Sequence, residues 1–224
     1  MTTSILSPHV QNRSVEVSIQ PKIEGMIDEL SASLPDPKQL TSDQRRGIIA
    51  RYTAVLEANF IYWMAATLIS VKSEGARPHL LENLFEEVRD AHPVMLRRFA
   101  FAAHAFPTDS DALVVDEDLT KVRKFLGRLS ATQSLATMAF FEGFIQKFMA
   151  YLADLATLQG STDMEYTDVH GVCDIEHTQG LFTALSEEME VNPLNPEADI
   201  FEGVYLLRTL VQTIISGQAE MIAA

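Results

Sequence analysis

Cysteine is nearly absent from this 224-residue chain, since Cys173 is the only one. An intrachain disulfide and a cysteine-rich zinc site are therefore excluded. Basic residues are also scarce: 17 lysines and arginines stand against 31 aspartates and glutamates, which gives a formal net charge of −14. Proteins bind nucleic acid through clustered Lys and Arg, so this charge argues against a nucleic-acid partner.

No targeting or membrane segment is expected either. The N-terminus has no basic stretch followed by an apolar run, so no secretory signal is expected. The most apolar stretch, residues 55–71, carries Glu57 and Asn59 and is typical of a core helix rather than a membrane span. With 47% hydrophobic residues, the chain is expected to form one cytoplasmic domain over residues 1–224, with 1–20 as a flexible or peripheral segment.

Strand patterns are absent, whereas apolar residues recur at the helical spacing of three and four along most of the chain. Segments that contain Pro and Gly separate these runs. We predict an all-α bundle of about seven helices, in which Asp116 caps the fourth. Their approximate ranges are 43–71, 80–90, 93–106, 116–129, 130–158, 162–189 and 197–220. Such bundles build their sites from side chains on facing helices.

One helical stripe carries two of the six histidines. His170, Asp174 and His177 follow one another at intervals of four and three residues, which brings all three to one side of an α-helix. Tyr166 and Leu181 extend the stripe, so we expect it to face inward. Two imidazoles and a carboxylate are typical ligands of a first-row metal such as non-haem iron. A surface helix whose polar residues align by chance is the alternative.

Glu142 is the only acidic residue between residues 130 and 153. Its helical neighbours are apolar, and an ionised carboxylate on such a face is costly unless it is paired or binds a metal. A protonated or hydrogen-bonded core glutamate is the alternative. Glu57 also lies alone in an apolar run. For Glu57 we favour a hydrogen-bonded core acid over a metal ligand.

The segment 79–96 supplies two further candidates. Glu87 lies on the apolar face of its helix, whereas Glu86 lies on the polar face. His92 would point away from Glu87 in a continuous helix, but Pro93 disfavours a helical conformation of the residue before it. A break at residues 90–92 would return His92 to the face of Glu87. A solvated acidic helix is the alternative.

Together these candidates are three histidines and three carboxylates on three helices, a set that suits two metal ions bridged by carboxylate. Ferritin-like di-iron bundles use Glu-x-x-His on two helices. No Glu-x-x-His occurs in this chain. The ordinary ferritin-like fold is therefore not expected.

The ordered trio of segments resembles the haem-oxygenase-like di-iron oxidases and oxygenases. Successive core helices of that family carry Asn-(Leu/Ile)-x-x-Glu followed by His, a lone Glu often followed by Gly, and His-x3-Asp-x2-His. The matching segments here are NLFEE with the histidine that follows, FEGF and HGVCDIEH, within residues 43–190. The resemblance implies a haem-oxygenase-like bundle and two Fe(II) ions held by Glu87, His92, Glu142, His170, Asp174 and His177. Glu86 remains a rival to Glu87.

The resemblance also implies an O2-dependent oxidoreductase. Family members act on amino acids, amine-bearing metabolites and fatty acids. We favour a small amino-acid-derived substrate that undergoes N-oxygenation or oxidative C–C or C–N cleavage, in biosynthesis. Its carboxylate would require an inward arginine, such as Arg51 or Arg208. Oxidative decarboxylation of a fatty acid is the alternative. The side chains available to line a cavity are Phe60, Trp63, Met64, Phe141, Phe144 and Tyr166.

Three other interpretations fit parts of the sequence. A cofactor-free, thiaminase-like enzyme of the same fold would use Cys173, but it leaves the six-residue pattern unexplained. A haem-degrading enzyme would need an early proximal histidine, and His9 falls in the predicted tail, so we discount it. Iron storage or a metal-stabilised binding module would differ from an oxidase in lacking O2 turnover. The last helix is apolar around much of its circumference, which permits either a homodimer or a buried position.

Overall fold

The computed structural model describes residues 8–217, and these residues form eight α-helices and no strand. The all-α prediction is confirmed. The helices are α1 (Pro8–Ala32), α2 (Ser42–Ser70), α3 (Ala76–Arg89), α4 (His92–Ala102), α5 (Asp109–Leu126), α6 (Ala131–Leu158), α7 (Glu165–Val191) and α8 (Glu202–Ser216). The additional helix is α1, which includes residues 8–20 of the predicted peripheral segment.

Helix α6 lies at the centre of the bundle. Every residue from 131 to 145 is buried, because α1, α2, α4, α7 and α8 pack around this helix. A helix that is apolar on all sides is stable only when neighbours cover it. Its largest interface is with α7, which places the stripe of α7 and Glu142 of α6 in the same layer of the core. No helix in the described residues has the length and apolar character needed to cross a membrane.

Helix α5 starts earlier than the sequence suggested. We expected Asp116 to cap it, but the helix begins at Asp109. The cause is a capping box, in which the Thr108 hydroxyl accepts the N–H of Asp111 and the Asp111 carboxylate accepts the N–H of Thr108. Arg46 of α2 donates twice to the same carboxylate, at 2.9 and 3.2 Å. The cap and the ion pair together join α5 to α2.

Glu188 fixes the turn between α2 and α3 from the end of α7. Its buried carboxylate accepts hydrogen bonds from the backbone N–H groups of Lys72 and Ser73 at 2.9 and 2.8 Å, and from the side-chain amide N–H of Asn192 at 2.9 Å.

Glu188→Ala leaves these donors unpaired, so we expect the free energy of unfolding to fall by about 2–4 kcal/mol. Urea denaturation measures this, with the exposed Glu190→Ala on the same helix as control. Equal stability of the two variants would contradict the assignment.

Candidate metal centre

A cavity enters the bundle between α2, α3, α4, α6 and α7. Its polar wall consists of five of the six predicted ligands, all of them buried: Glu87, His92, Glu142, His170 and Asp174. The rest of its wall is apolar or aromatic: Leu56, Phe60, Ile61, Pro93, Leu96, Phe141, Ile145 and Tyr166. The three segments that the sequence singled out therefore meet at one cavity.

Glu87, His92 and His170 form the first group of potential ligands. Glu87 Oε1 lies 2.6 Å from His92 Nδ1 and 3.7 Å from His170 Nε2, and the ligand atoms of the three residues lie within 4.8 Å of one another. His170 Nδ1 donates to the carbonyl oxygen of Tyr166 at 2.8 Å. That hydrogen bond fixes the orientation of the imidazole and directs Nε2 towards Glu87 and His92. Metal-binding histidines are commonly oriented in this way, by a hydrogen bond from the ring nitrogen that does not bind the metal.

The predicted break between α3 and α4 is confirmed. Helix α3 ends at Arg89, α4 begins at His92, and Ala91 between them has φ 56° in the left-handed region. A residue with a Cβ is strained there by roughly 1–2 kcal/mol. The turn brings His92 back onto Glu87 and places its ring 4.4 Å from that of His170. Strain of this kind is often found at functional sites.

Asp174 and His177 form the second group, one turn further along α7. Asp174 Oδ1 lies 3.7 Å from His177 Nδ1. Cys173 Sγ lies within 4.8 Å of both. Two buried atoms in this group, Asp174 Oδ2 and His177 Nδ1, have no hydrogen-bond partner. Buried polar atoms are normally paired, so these unpaired atoms, a carboxylate oxygen and an imidazole nitrogen, fit a bound metal ion.

Glu142 interacts electrostatically with both groups. Burial, followed by the negative charges of Asp174 and Glu87, raises the pKa of Glu142 well above its ordinary value, although His177 and a hydrogen bond from Asn83 act in the opposite direction. That hydrogen bond joins Asn83 Nδ2 to Glu142 Oε1 at 2.6 Å. A buried carboxylate that repels other carboxylates is stabilised when cations bind beside it. Its position suits a ligand shared by two ions.

The carboxylates around His170 and His177 favour the protonated forms of these two imidazoles. Burial alone would lower the pKa of His177, but Asp174, Glu142 and Glu86 outweigh it and raise the pKa to about 9. For His170, Glu87 and Asp174 likewise outweigh burial and raise the pKa. The pKa of Glu87 is lowered, because hydrogen bonds to both histidines of its group outweigh its burial. Metal ions bind deprotonated imidazole, so occupation of the centre would release protons.

Several other candidates lie outside the cavity wall. Glu57 is not a hydrogen-bonded core acid, since it is only half-buried and pairs with Arg97 across α2 and α4. Arg51 donates to the carbonyl oxygens of residues 214 and 215 at the end of α8, and Arg208 pairs with Glu29. Neither arginine supplies the inward cation that we expected for a substrate carboxylate, because both serve contacts between helices.

The side chains of Glu86 and Glu87 point to different groups of candidate ligands. Glu87 joins His92 and His170, as predicted, whereas Glu86 Oε2 lies 3.0 Å from His177 Nε2. Glu86 is therefore not a replacement for Glu87. No sequence pattern indicated its contact with His177, because that contact depends on how α3 packs against α7.

Half of the predicted wall residues line the cavity, namely Phe60, Phe141 and Tyr166. Trp63, Met64 and Phe144 are buried in the core without contributing to the cavity wall. Leu56 and Ile61 of α2 and Leu96 of α4 also line the cavity but were not predicted. Helical periodicity does not distinguish such residues from those of ordinary packing.

A family model described as an iron-containing redox enzyme matches residues 49–210. The chain belongs to this family. The matched range contains all six predicted ligands and seven of the eight described helices in whole or in part. The chain is thus an iron-dependent oxidoreductase of the haem-oxygenase-like all-α fold. No curated protein matches the chain.

The surroundings of Cys173 disfavour the thiolate form of its side chain. Burial raises the pKa of its thiol well above the ordinary value. The charge of Asp174, with which the thiol also forms a 3.4 Å hydrogen bond, raises this pKa further.

Because the thiolate is the reactive form of cysteine, we expect iodoacetamide at pH 8 to alkylate Cys173 more than about 10-fold slower in the native protein than in the protein unfolded in urea. Equal rates in the two states, followed by mass spectrometry, would restore the thiaminase-like interpretation.

Proposed function

We propose that the chain is an O2-dependent non-haem di-iron oxidoreductase. The observation that carries this proposal is the pair of neighbouring ligand groups beside one buried cavity, both of which interact with the carboxylate of Glu142. Glu87, His92 and His170 would hold one ion, Asp174 and His177 the other, and Glu142 would serve both. When bound, two ferrous ions would supply the electrons that reduce O2 and generate an oxidant beside the substrate.

The protein's own contribution is to fix the ligands and exclude water. The backbone carbonyl of Tyr166 orients His170, the strained turn at Ala91 presents His92, and Asn83 orients Glu142. The apolar part of the wall disfavours water next to these groups. A dry, shaped cavity protects reactive species from side reactions with solvent. His170 and His177 would bind a metal as neutral imidazoles, so their raised pKa values couple metal binding to proton release.

The cavity favours an apolar substrate. In the part of the chain that the structure describes, no lysine or arginine belongs to the cavity wall. A substrate carboxylate or amine remote from the centre would therefore be desolvated without a partner, which is costly. An alkyl chain or ring would instead pack against Leu56, Phe60 and Leu96. This supports oxidation of a fatty-acid-like substrate, such as oxidative decarboxylation, over the amino-acid-derived substrate that we favoured from the sequence.

Iron content and reaction with O2 test the proposed activity. We expect anaerobic loading with Fe(II) to give about two irons per chain, and mixing with O2 to give a transient visible absorption followed by ferric protein. A storage protein would accumulate iron beyond this stoichiometry. A binding module would hold metal without any O2-dependent signal. Either result would overturn the proposal.

The substrate class is tested separately in single turnovers. The ferrous protein is mixed with O2 and with either decanoate or an amino acid of similar size, and the products are identified by mass spectrometry. We expect decanoate to accelerate the decay of the absorption signal and to be oxidised, whereas the amino acid leaves the decay unchanged. Oxidation of the amino acid alone would favour the first prediction made from the sequence.

A further inference from the structure

A second, polar cavity lies on the outer side of His177, between α3 and α7. Its wall consists of His79, Glu82, Glu86, Cys173, Glu176, His177 and Gly180. The imidazole of His177 therefore lies between two carboxylates, that of Asp174 in the buried centre and that of Glu86 in this outer cavity. The His177 side chain is only 8% exposed, whereas that of Glu86 is 30% exposed.

The two ring nitrogens of His177 have different surroundings. Nε2 lies 3.0 Å from Glu86 Oε2, and because a carboxylate only accepts, Nε2 must donate its hydrogen there. Nδ1 is buried without a hydrogen-bond partner, 3.7 Å from Asp174 Oδ1. In the neutral imidazole that binds metal, a hydrogen held at Nε2 leaves the Nδ1 lone pair as the one available to an ion beside Asp174. Metal-binding histidines commonly donate their other N–H to a carboxylate in this way.

We propose that Glu86 is the positioning residue of the second metal position, acting through His177. It fixes both the orientation of the imidazole and the nitrogen that faces Asp174. This inference rests on the proposed function, since it assumes that Asp174 and His177 bind an ion. Two adjacent residues of α3 then have separate roles, because Glu87 contributes directly to the first group and Glu86 supports the second from outside.

Metal titration tests this role without relying on activity. Metal-free wild type, Glu86→Ala, Glu86→Gln and Glu82→Ala are each titrated anaerobically with Co(II), followed by calorimetry and visible absorption. Glu82 is an exposed residue of the same outer cavity and provides the matched control. We expect Glu86→Ala to weaken one of two Co(II) sites by about 10–100-fold and to leave the other unchanged.

The glutamine variant separates positioning from direct ligation. In Glu86→Gln the new side-chain amide oxygen still accepts the N–H of His177, so this variant should lose less affinity than Glu86→Ala, and Glu82→Ala should match wild type. If Glu86→Gln is as weak as Glu86→Ala, Glu86 is a direct ligand and the positioning role is wrong. Unchanged affinity in Glu86→Ala also overturns it.

The same titration distinguishes failure of this inference from failure of the proposed function. If wild type binds fewer than two Co(II) ions, the di-iron proposal fails, and the role of Glu86 fails with it. If wild type binds two ions but Glu86→Ala binds them equally well, only the role of Glu86 fails. Circular dichroism of each metal-free variant verifies that the bundle is folded before titration.

Discussion

Glu142→Ala is expected to leave one iron or fewer per chain and to lower O2-dependent activity by more than about 100-fold. Glu142 is the only carboxylate of α6 at the cavity, and it interacts with members of both ligand groups. Its removal therefore affects both metal positions. Iron analysis after anaerobic loading measures the first effect, and stopped-flow absorption on mixing with O2 measures the second. Asp154→Ala, an exposed acid of the same helix, is the control.

Glu142→Gln should lose iron while making the metal-free protein more stable. Glutamine retains the shape of the side chain, but it removes a carboxyl group whose ionisation is opposed by burial and by nearby Asp174 and Glu87. Binding sites commonly trade stability for function in this way. Thermal unfolding of the metal-free proteins provides the comparison. A glutamine variant that binds iron normally would show that Glu142 is a core acid rather than a ligand.

Much of the fold was predictable because the long helices have strong patterns. The apolar faces of α2, α6 and α7 repeat over many turns, and proline- or glycine-containing segments separate them. The start of α5 could not be predicted from the spacing of its apolar residues, because it depends on the local capping box of Thr108 and Asp111. Helix α1 was not predicted from the sequence: it contains Pro21, a residue that normally interrupts a helix, even though Ile23 and Leu30 are buried in the core.

The grouping of the candidate ligands was also predictable to a large extent. Helical spacing placed His170, Asp174 and His177 on one stripe, and proline chemistry explained how His92 returns to Glu87. What the sequence could not supply is the packing of one helix against another. The contact of Glu86 with His177 requires the packing of α3 on α7, so it became visible only in the structure.

Ile61→Trp is expected to lower turnover of an apolar substrate by about 10-fold or more while leaving iron content unchanged. Ile61 is a half-buried residue of the cavity wall on α2, and it belongs to neither ligand group. A larger side chain there occupies space that the substrate would need. Decanoate-dependent decay of the O2-derived absorption measures the effect. Tyr62→Trp introduces the same side chain at the neighbouring, exposed position and should behave as wild type.

Iron content decides how a loss of turnover in Ile61→Trp is interpreted. If turnover falls and iron remains, the apolar wall acts on the substrate, because the ligands of the metal centre are still in place. If both fall, tryptophan has displaced the neighbouring helices, and the variant reports on packing instead. Normal turnover of decanoate by Ile61→Trp would mean that the substrate approaches from elsewhere. The outer cavity beside His177 would then be the route to examine, and its acidic wall would favour a cationic substrate over a fatty acid.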